Sequence, residues 1–189
     1  CTYQTKTINS KKIDYAQGAT VLGMMPDFIF KELGLSKSLK IFAPKHPKLV
    51  YFPESSVSTK IYQNHKRLHD ELKLKWNEKG DLRQFRNDES KVIDFIRKGY
   101  RNAESPSYEK AENELGKDLA KIWIKGSAKK LLDHYFTSDK TKIYMGMTCI
   151  ESGASSIHNE GTAFTIPLMD SGSVFNGYWG YVKGGIWKI

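Results

Sequence analysis

The chain has 189 residues, of which 39% are hydrophobic and 27% are charged. This balance is typical of one folded domain and excludes a chain that is disordered throughout. No apolar run approaches the ~20 residues that a membrane-spanning helix needs, and two cysteines are too few for a disulfide framework. The 30 Lys and Arg residues outnumber the 21 Asp and Glu residues, but they are scattered and accompany no nucleic-acid-binding motif, so we expect no nucleic-acid partner.

The first third of the chain is predicted to combine strands with one helix. Alternating β-branched residues favour an edge strand or hairpin over Thr2–Asp14. A helix is predicted over Ala19–Leu35, with Pro26 as a first-turn residue. The range Leu39–Phe52 then predicts two strands joined by a proline-containing turn.

The middle of the chain is predicted to be helical, because apolar side chains recur there at the spacing of amphipathic helices. A loop rich in Ser, Pro and Asn is predicted between Arg101 and Lys110. The predicted helices are Ser55–Trp76, one capped by Asn87 and Asp88, Tyr108–Ile124, one that starts at Ser127 and one capped by Ser138 and Asp139.

Two groups of polar residues have the composition of metal or catalytic sites, but neither is complete. His65 and His69 would share one helix face, yet the glutamate of H-E-x-x-H is absent and two basic residues lie between them. We interpret both as surface histidines and expect no metal ion. Asp133 and His134 lack the nucleophile elbow G-x-S-x-G, which argues against a serine hydrolase.

Glycines alternate with aromatic residues in the C-terminal run NEGTAFTIPLMDSGSVFNGYWGYVKGGI, from Asn159 to Ile186. Glycine allows a backbone to approach a flat ligand closely, and aromatic side chains supply apolar contact area beside it. The run fits a pocket for a planar or apolar ligand, and it fits equally a glycine-rich turn with aromatic core residues. No phosphate-binding loop accompanies it, because the sequence contains neither G-x-G-x-x-G nor G-x-x-x-x-G-K-[ST].

Two separated blocks of the sequence carry a family resemblance. The first is IDYAQGATVLGMMPDFIFKELGL, from Ile13 to Leu35. The second comprises LLDHYF, the Gly-Thr-Ala of residues 161–163 and WGYVKGGI, from Trp179 to Ile186. In order and separation these blocks resemble FAD-dependent oxidoreductases of the phytoene-desaturase type, in particular the branch of pyridine nucleotide-disulphide oxidoreductase domain-containing proteins.

The resemblance implies an α/β fold, or α+β in this part of it, of the FAD/NAD(P)-binding type, with a mixed sheet covered by a helical layer. It implies a middle fragment, in which residues 1–38 are a remnant of the flavin-binding domain, 39–178 the substrate-binding domain and 179–189 a return segment towards the flavin. Such an enzyme transfers a hydride from an apolar, isoprenoid-like substrate to FAD. FAD would bind where the flanking flavin-binding segments are present.

The resemblance also implies which residues approach the cofactor and the substrate, and it requires no catalytic side-chain acid or base. The flavin would lie near Asp14, Gly18, Ala19, Gly184 and Gly185. The substrate would contact Trp179, Tyr181, Phe164, Met24 and Phe28. Core packing is the competing interpretation of these methionine and aromatic residues.

The alternative hypothesis starts from Cys1, which could carry lipid in a basic surface lipoprotein or binding module without catalytic activity. For the oxidoreductase we expect a cytoplasmic protein with peripheral contact to a membrane and an apolar small molecule as its partner. The isolated chain is also expected to self-associate, through surface that a flavin-binding unit would cover.

Overall fold

A computed structural model describes residues 2–46, 48–151, 155–175 and 177–189. Short strands occupy the first third and helices dominate from His65 onward, which is an α+β arrangement as the sequence predicts. The helices are α1 (Asp27–Glu32), α2 (Leu35–Ser38), α3 (His65–Trp76), α4 (Leu82–Asn102), α5 (Tyr108–Leu115), α6 (Lys117–Leu119), α7 (Ala128–Tyr135), α8 (Asp139–Glu151) and α9 (Thr165–Asp170). A π-helical turn covers Ala120–Lys125, and 3-10 turns cover Pro53–Ser55, Thr162–Phe164 and Ile186–Lys188.

The strands of the described residues form three separate two-stranded antiparallel sheets, so the expected mixed sheet is wrong and no FAD-binding fold is seen. The pairs are β1 (Tyr3–Ile8) with β2 (Lys11–Ala16), β4 (Lys48–Phe52) with β5 (Val57–Ile61), and β3 (Ile41–Phe42) with β6 (Tyr181–Val182). Parallel strands need a crossover connection between them, usually a helix. Here short turns join β1 to β2 and β4 to β5, so these pairs are antiparallel hairpins. β6 follows α9 in the chain and pairs with β3 in the antiparallel direction.

The N-terminal hairpin is confirmed, because β1 and β2 pair over their full length. Its turn consists of Asn9 and Ser10, whose φ angles are 47° and 64°. Two consecutive residues with positive φ match the twist of a tight hairpin. Tyr3 stacks on Trp187 with ring centroids 5.3 Å apart, which links the hairpin to the C-terminus.

The predicted helix over Ala19–Leu35 is much shorter in the structure. α1 begins only after Pro26, whose backbone is extended at φ −64° and ψ 139°. Before it, Leu22 forms an antiparallel bridge with Gly180, in which both N–H···O distances are 2.9 Å. A backbone that pairs its N–H and C=O with a distant segment cannot use the same groups in a helix.

The predicted helix over Ser55–Trp76 divides into a strand and a helix. Alternate β-branched residues of β5 face the core, among them the buried Ile61. α3 then begins after Asn64, whose side chain accepts a hydrogen bond from the Arg67 N–H at 2.9 Å. The β-branched run therefore prevails over the helical spacing in the first part of this range.

α4 begins about two turns earlier than predicted, because its N-cap is Asp81 and not Asn87 or Asp88. The Asp81 carboxylate accepts hydrogen bonds from the backbone N–H groups of Arg83 at 2.9 Å and Gln84 at 3.1 Å. These are the orphan donors that an N-cap satisfies. The earlier start brings residues 82–88 into the helix.

The predicted helix over Tyr108–Ile124 breaks at Gly116, which has a φ of 83°. α5, α6 and the π-helical turn share this range. The predicted start of the next helix is confirmed, because the Ser127 side chain accepts a hydrogen bond from the Lys130 N–H at 3.2 Å. α8 likewise begins at the predicted Asp139.

Among the described residues, two of the three groups of buried side chains border the cavities and termini discussed below. The main core joins β5 to α3, α4, α7 and α8, and its largest members include Phe85 and Trp123, with ring centroids 5.1 Å apart. The second group, here called the terminal cluster, consists of Leu22, Phe30, Val182 and Ile186. It packs the C-terminal segment against the segment that follows the hairpin.

The close contact of Gly172 with this N-terminal segment predicts a marked effect of one methyl group. A Cβ atom at Gly172 would lie 2.3 Å from the carbonyl oxygen of Gly23. We expect Gly172→Ala to separate the two segments at a cost of about 1–3 kcal/mol, and hydrogen exchange should show lost protection of the Leu22 N–H. Gly18→Ala is the matched control, because nothing lies within 4 Å of a Cβ there. Equal protection in both variants would contradict the contact.

Candidate functional site

A cavity of about 700 Å³, here called the main cavity, lies between α4, α8, α9 and the C-terminal segment. Small-molecule sites usually have volumes of roughly 300–1,000 Å³. Apolar side chains alternate with polar and aromatic ones around it. The lining includes Val21, Ile61, Ile93, Met145, Ile166 and Met169, the polar residues His65, Arg86, Glu89, Arg97 and Asp170, and the aromatic residues Tyr144, Tyr178, Trp179 and Tyr181.

Arg86, Glu89 and Asp170 form an ion-paired group in the wall of this cavity, here called the charged cluster. Residues 86, 89 and 93 share one face of α4, because steps of three and four residues complete turns of a helix. An Nη1–H group of Arg86 donates to Glu89 Oε2 in the next turn and to Asp170 Oδ2 of α9, the second at 3.1 Å. The cluster therefore joins α4 to α9 at the cavity.

Burial determines the ionisation of the charged cluster. The side chain of Glu89 is 3% exposed, and burial raises the pKa of its carboxyl to about 7, with Asp170 acting in the same direction against Arg86. Burial alone would lower the pKa of Arg86, but the charges of Glu89 and Asp170 raise it above its usual value. Arg86 thus stays charged, while Glu89 exchanges a proton near neutral pH.

Two tyrosines extend this polar part of the cavity. Tyr144 lines the same cavity as the charged cluster, and burial raises the pKa of its hydroxyl. Burial also raises the pKa of Tyr178, whose hydroxyl donates to the Gln63 carbonyl at 3.0 Å. The Tyr144 hydroxyl, by contrast, has no hydrogen-bond partner in the described part of the chain. Tyr144 therefore keeps its proton and can donate it to a ligand in a hydrogen bond.

Two buried polar atoms of the charged cluster have no hydrogen-bond partner among the described residues. They are Nε of Arg86, a donor, and Oε1 of Glu89. Leaving such an atom unpaired costs about 1–3 kcal/mol. A ligand group that pairs with both atoms would recover that energy, so the cluster is a candidate polar recognition point in a wall that also offers apolar side chains such as Ile93, Ile166 and Met169.

Of the residues predicted to contact a substrate, the structure brings Trp179 and Tyr181 into the wall of the main cavity. Trp179 is 37% exposed, and its indole covers Gly23 so closely that a Cβ there would lie 2.6 Å from the ring. Tyr181 stacks on Phe42 across the sheet of β3 and β6, with centroids 5.5 Å apart. Their neighbour Gly180 bridges Leu22, so the two resembling blocks meet at this wall.

The other three residues predicted to contact a substrate lie elsewhere. Phe164 lines a second cavity of about 220 Å³, beside Phe95 and Leu168. Phe28 packs its ring under the guanidinium of Arg101, 4.8 Å from the ring centroid. Met24 follows Gly23 in the segment that Gly172 approaches, outside the main cavity.

None of the residues predicted to approach a flavin is among the described residues that line the main cavity. Asp14 is exposed on β2 and accepts a hydrogen bond from the Thr5 hydroxyl at 2.6 Å. Gly18 and Ala19 are exposed in the segment that follows this hairpin. Gly184 and Gly185 form a turn after β6 with φ angles of 87° and 103°. Ala16, at the end of the hairpin, packs against the terminal cluster, to which Val182 of β6 belongs.

The charged cluster was not predicted from the sequence. The sequence predicts that α4 starts at Asn87 and Asp88, which leaves Arg86 outside the helix. The three-residue spacing between Arg86 and Glu89 then does not predict that the two side chains share a helix face. The available signal was the N-cap Asp81, which would have put both residues on one helix face. Asp170 is 84 residues from Arg86, and no local pattern connects them.

No protein-family model matches the chain, and no curated protein or solved structure is significantly similar to it. The family resemblance described from the sequence therefore stays a prediction. The described residues contain no group of three or more His, Cys, Asp or Glu residues that could hold a metal ion. In the same ranges, no helix is both long and apolar enough to cross a bilayer. The lipid anchor proposed at Cys1 lies outside the described residues.

The raised pKa of Glu89 predicts a loss of stability as the pH rises. Between pH 4.5 and about 7 the unfolded carboxyl is ionised while the folded one keeps its proton, so the free energy of unfolding falls by about 3 kcal/mol across this window. His65 acts in the opposite sense, because partial burial and the Arg86 charge lower its pKa below 6.5. The measurement is therefore a difference between variants.

Urea unfolding of the wild type and of Glu89→Gln at about pH 5 and pH 8 isolates this contribution. We expect Glu89→Gln to lose less stability than the wild type between the two pH values, because its side chain does not titrate. Glu32→Gln changes an exposed glutamate and should leave the dependence as in the wild type. Identical dependence in the wild type and Glu89→Gln would show that Glu89 has an ordinary pKa.

Proposed function

We propose that this chain forms the substrate-binding part of a FAD-dependent oxidoreductase that transfers a hydride from an apolar substrate to flavin. The observation that carries the proposal is the meeting of the two resembling blocks at the main cavity. Leu22 in the first block bridges Gly180 in the second, and Trp179 and Tyr181 on either side of Gly180 line the cavity. This is the arrangement expected where a substrate-binding domain returns to its flavin.

The distribution of buried side chains supports the proposed division of the chain. The main core lies entirely within residues 39–178, the proposed substrate-binding domain. The terminal cluster instead combines Leu22 and Phe30 with Val182 and Ile186. It thus joins the proposed flavin-domain remnant, residues 1–38, to the proposed return segment, residues 179–189.

The chain fits one part of FAD better than the rest. Asp14, Gly18 and Ala19 lie on and just after β2, and Gly184 and Gly185 follow β6, whose Val182 belongs to the terminal cluster. In this proposal both groups of residues would face the isoalloxazine ring. The sequence has no G-x-G-x-x-G, so the proposal requires other residues of the full protein to hold the pyrophosphate. FAD, when bound, supplies the hydride acceptor.

The chain's own residues would bind the substrate and exclude water. Ile93, Ile166 and Met169 offer the apolar surface against which a hydrocarbon body packs. Trp179 and Tyr181 would hold the reacting part at the side of the cavity that faces the terminal cluster. An apolar substrate of this kind also accounts for the proposed cytoplasmic location with peripheral membrane contact, since such molecules partition into bilayers.

A flavin-fluorescence experiment on the full gene product tests the proposed location of the flavin. An indole close to an excited flavin quenches its fluorescence by electron transfer, so we expect Trp179→Phe to lengthen the fluorescence lifetime of bound FAD. Trp76→Phe is the matched control, because Trp76 is buried in the main core away from the terminal cluster. An unchanged lifetime in Trp179→Phe, with FAD still bound, would overturn this placement.

A further inference from the structure

We propose that the charged cluster binds a hydroxyl group of the substrate, which makes the substrate an apolar alcohol. This inference rests on the proposed function in one respect, because it takes the main cavity as the substrate site. It adds the polar group by which the substrate is recognised, which the family resemblance does not supply.

Only a group that both accepts and donates a hydrogen bond can pair with the two unpartnered atoms of the cluster. Arg86 uses Nη1 for both carboxylates, which leaves its Nε–H as a free donor. Glu89 receives that bond on Oε2, which leaves Oε1 as a free acceptor when the carboxylate is ionised. A hydroxyl oxygen accepts from Nε, and its hydrogen is donated to Oε1.

Ketones, ethers, ammonium groups and carboxylates fit the two atoms less well. A ketone or an ether accepts from Arg86 but leaves the Glu89 oxygen unpaired, and an ammonium group has no acceptor for the Arg86 N–H. A carboxylate adds a third negative charge beside Glu89 and Asp170, against the single positive charge of Arg86. A neutral hydroxyl is the smallest group that satisfies both atoms without changing the charge.

The surroundings of the cluster fit the rest of such a molecule. Tyr144 lines the same cavity as the cluster, and its hydroxyl has no partner in the described residues, so it can donate to the second lone pair of the substrate oxygen. The neighbouring cavity wall is apolar at Ile93, Ile166 and Met169. One polar end and a hydrocarbon body therefore match the lining.

An isomeric pair of probes tests the hydroxyl directly. 1-Nonanol and octyl methyl ether contain the same atoms, but only the alcohol can donate a hydrogen bond. In calorimetric titrations of the purified chain without flavin at about pH 8, where Glu89 is ionised, we expect the alcohol to bind about tenfold more tightly. Nonanoate should bind no more tightly than the ether. Equal affinities of the two isomers, tightest binding of nonanoate, or no binding of any probe would overturn the proposal.

Two variants connect the preference to the cluster. Glu89→Gln keeps an oxygen for Arg86 but presents an N–H at the free position, so the tenfold preference for the alcohol should disappear. Tyr144→Phe should weaken both isomers alike, because both accept its hydrogen bond, and it remains informative if Glu89→Gln does not fold. The controls are Glu32→Gln and Tyr51→Phe, which alter exposed side chains and should keep the wild-type affinities. A full preference in Glu89→Gln, or wild-type affinities in Tyr144→Phe, would overturn the assignment.

These titrations separate the alcohol site from the proposed oxidoreductase function. A chain that prefers 1-nonanol while its full gene product holds no flavin would refute the oxidoreductase and leave the alcohol site standing. A flavoprotein that shows no preference between the isomers would refute the alcohol site and leave the oxidoreductase proposal standing.

Discussion

Arg86→Met is expected to lower the free energy of unfolding by about 3–5 kcal/mol. The guanidinium is 16% exposed and is the partner of two carboxylates, Glu89 and Asp170. Its removal leaves Glu89 buried beside a like charge, which raises the pKa of Glu89 further. Urea unfolding at about pH 8 measures the effect where the wild-type carboxyl is ionised.

A control and a double variant separate charge pairing from general damage to α4. Arg83→Met removes an exposed arginine from the same helix and should change stability by less than about 0.5 kcal/mol. Adding Glu89→Gln to Arg86→Met removes the unpaired charge, so the double variant should regain much of the loss. A loss below about 1 kcal/mol for Arg86→Met would mean that the cluster contributes little to the folded state.

Glu78→Ala is expected to destabilise the protein by a similar 3–5 kcal/mol. Oε1 of this buried side chain accepts from the N–H groups of Gly80 at 2.7 Å, Lys79 at 2.9 Å and Thr137 at 2.9 Å, and from the Thr137 hydroxyl at 3.0 Å. Oε2 accepts from the Ser138 N–H at 3.2 Å. One carboxylate thus ties the α3–α4 connection to the α7–α8 connection, and alanine leaves all these donors without it.

The pH dependence of this effect has a defined sign. Burial alone would raise the pKa of Glu78, but the hydrogen bonds from Thr137 and Gly80 outweigh it and lower the pKa below 4.5. The carboxylate therefore stabilises the fold above that pH, and its contribution is lost as the pH falls. The difference in unfolding free energy between wild type and Glu78→Ala should be larger at about pH 7 than at about pH 3. Glu32→Ala changes an exposed side chain and should have the unfolding free energy of the wild type at both pH values. A Glu78→Ala variant as stable as the wild type would contradict the structure.

Elements with local signals could be predicted from the sequence, and elements defined by distant partners could not. Ser127 caps α7 within its own first turn, and the N-terminal hairpin closes through adjacent strands, so both follow from neighbouring residues. The composition of the segment before Pro26 predicts a helix, yet Leu22 in this segment pairs with Gly180 near the other end of the chain. Tertiary hydrogen bonds overrode the local preference there.

The candidate site divides in the same way. The family resemblance implied that Trp179 and Tyr181 contact a substrate, and both line the main cavity. The run of glycine and aromatic residues in which they stand fitted a pocket and a packed core equally. The charged cluster could not be predicted, since Asp170 meets Arg86 only through the packing of α9 on α4. The burial that raises the pKa of Glu89 is a property of the fold and has no counterpart in the spacing of the sequence.

The central claim, that the main cavity serves a flavin-dependent reaction, is tested most directly by an absorbance spectrum. The full product of the gene that encodes this chain should be purified, incubated with excess FAD, freed of unbound FAD by gel filtration and scanned between about 350 and 500 nm, where bound flavin absorbs. The account predicts flavin bands that elute with the protein. A folded protein that stays colourless after this treatment would contradict it.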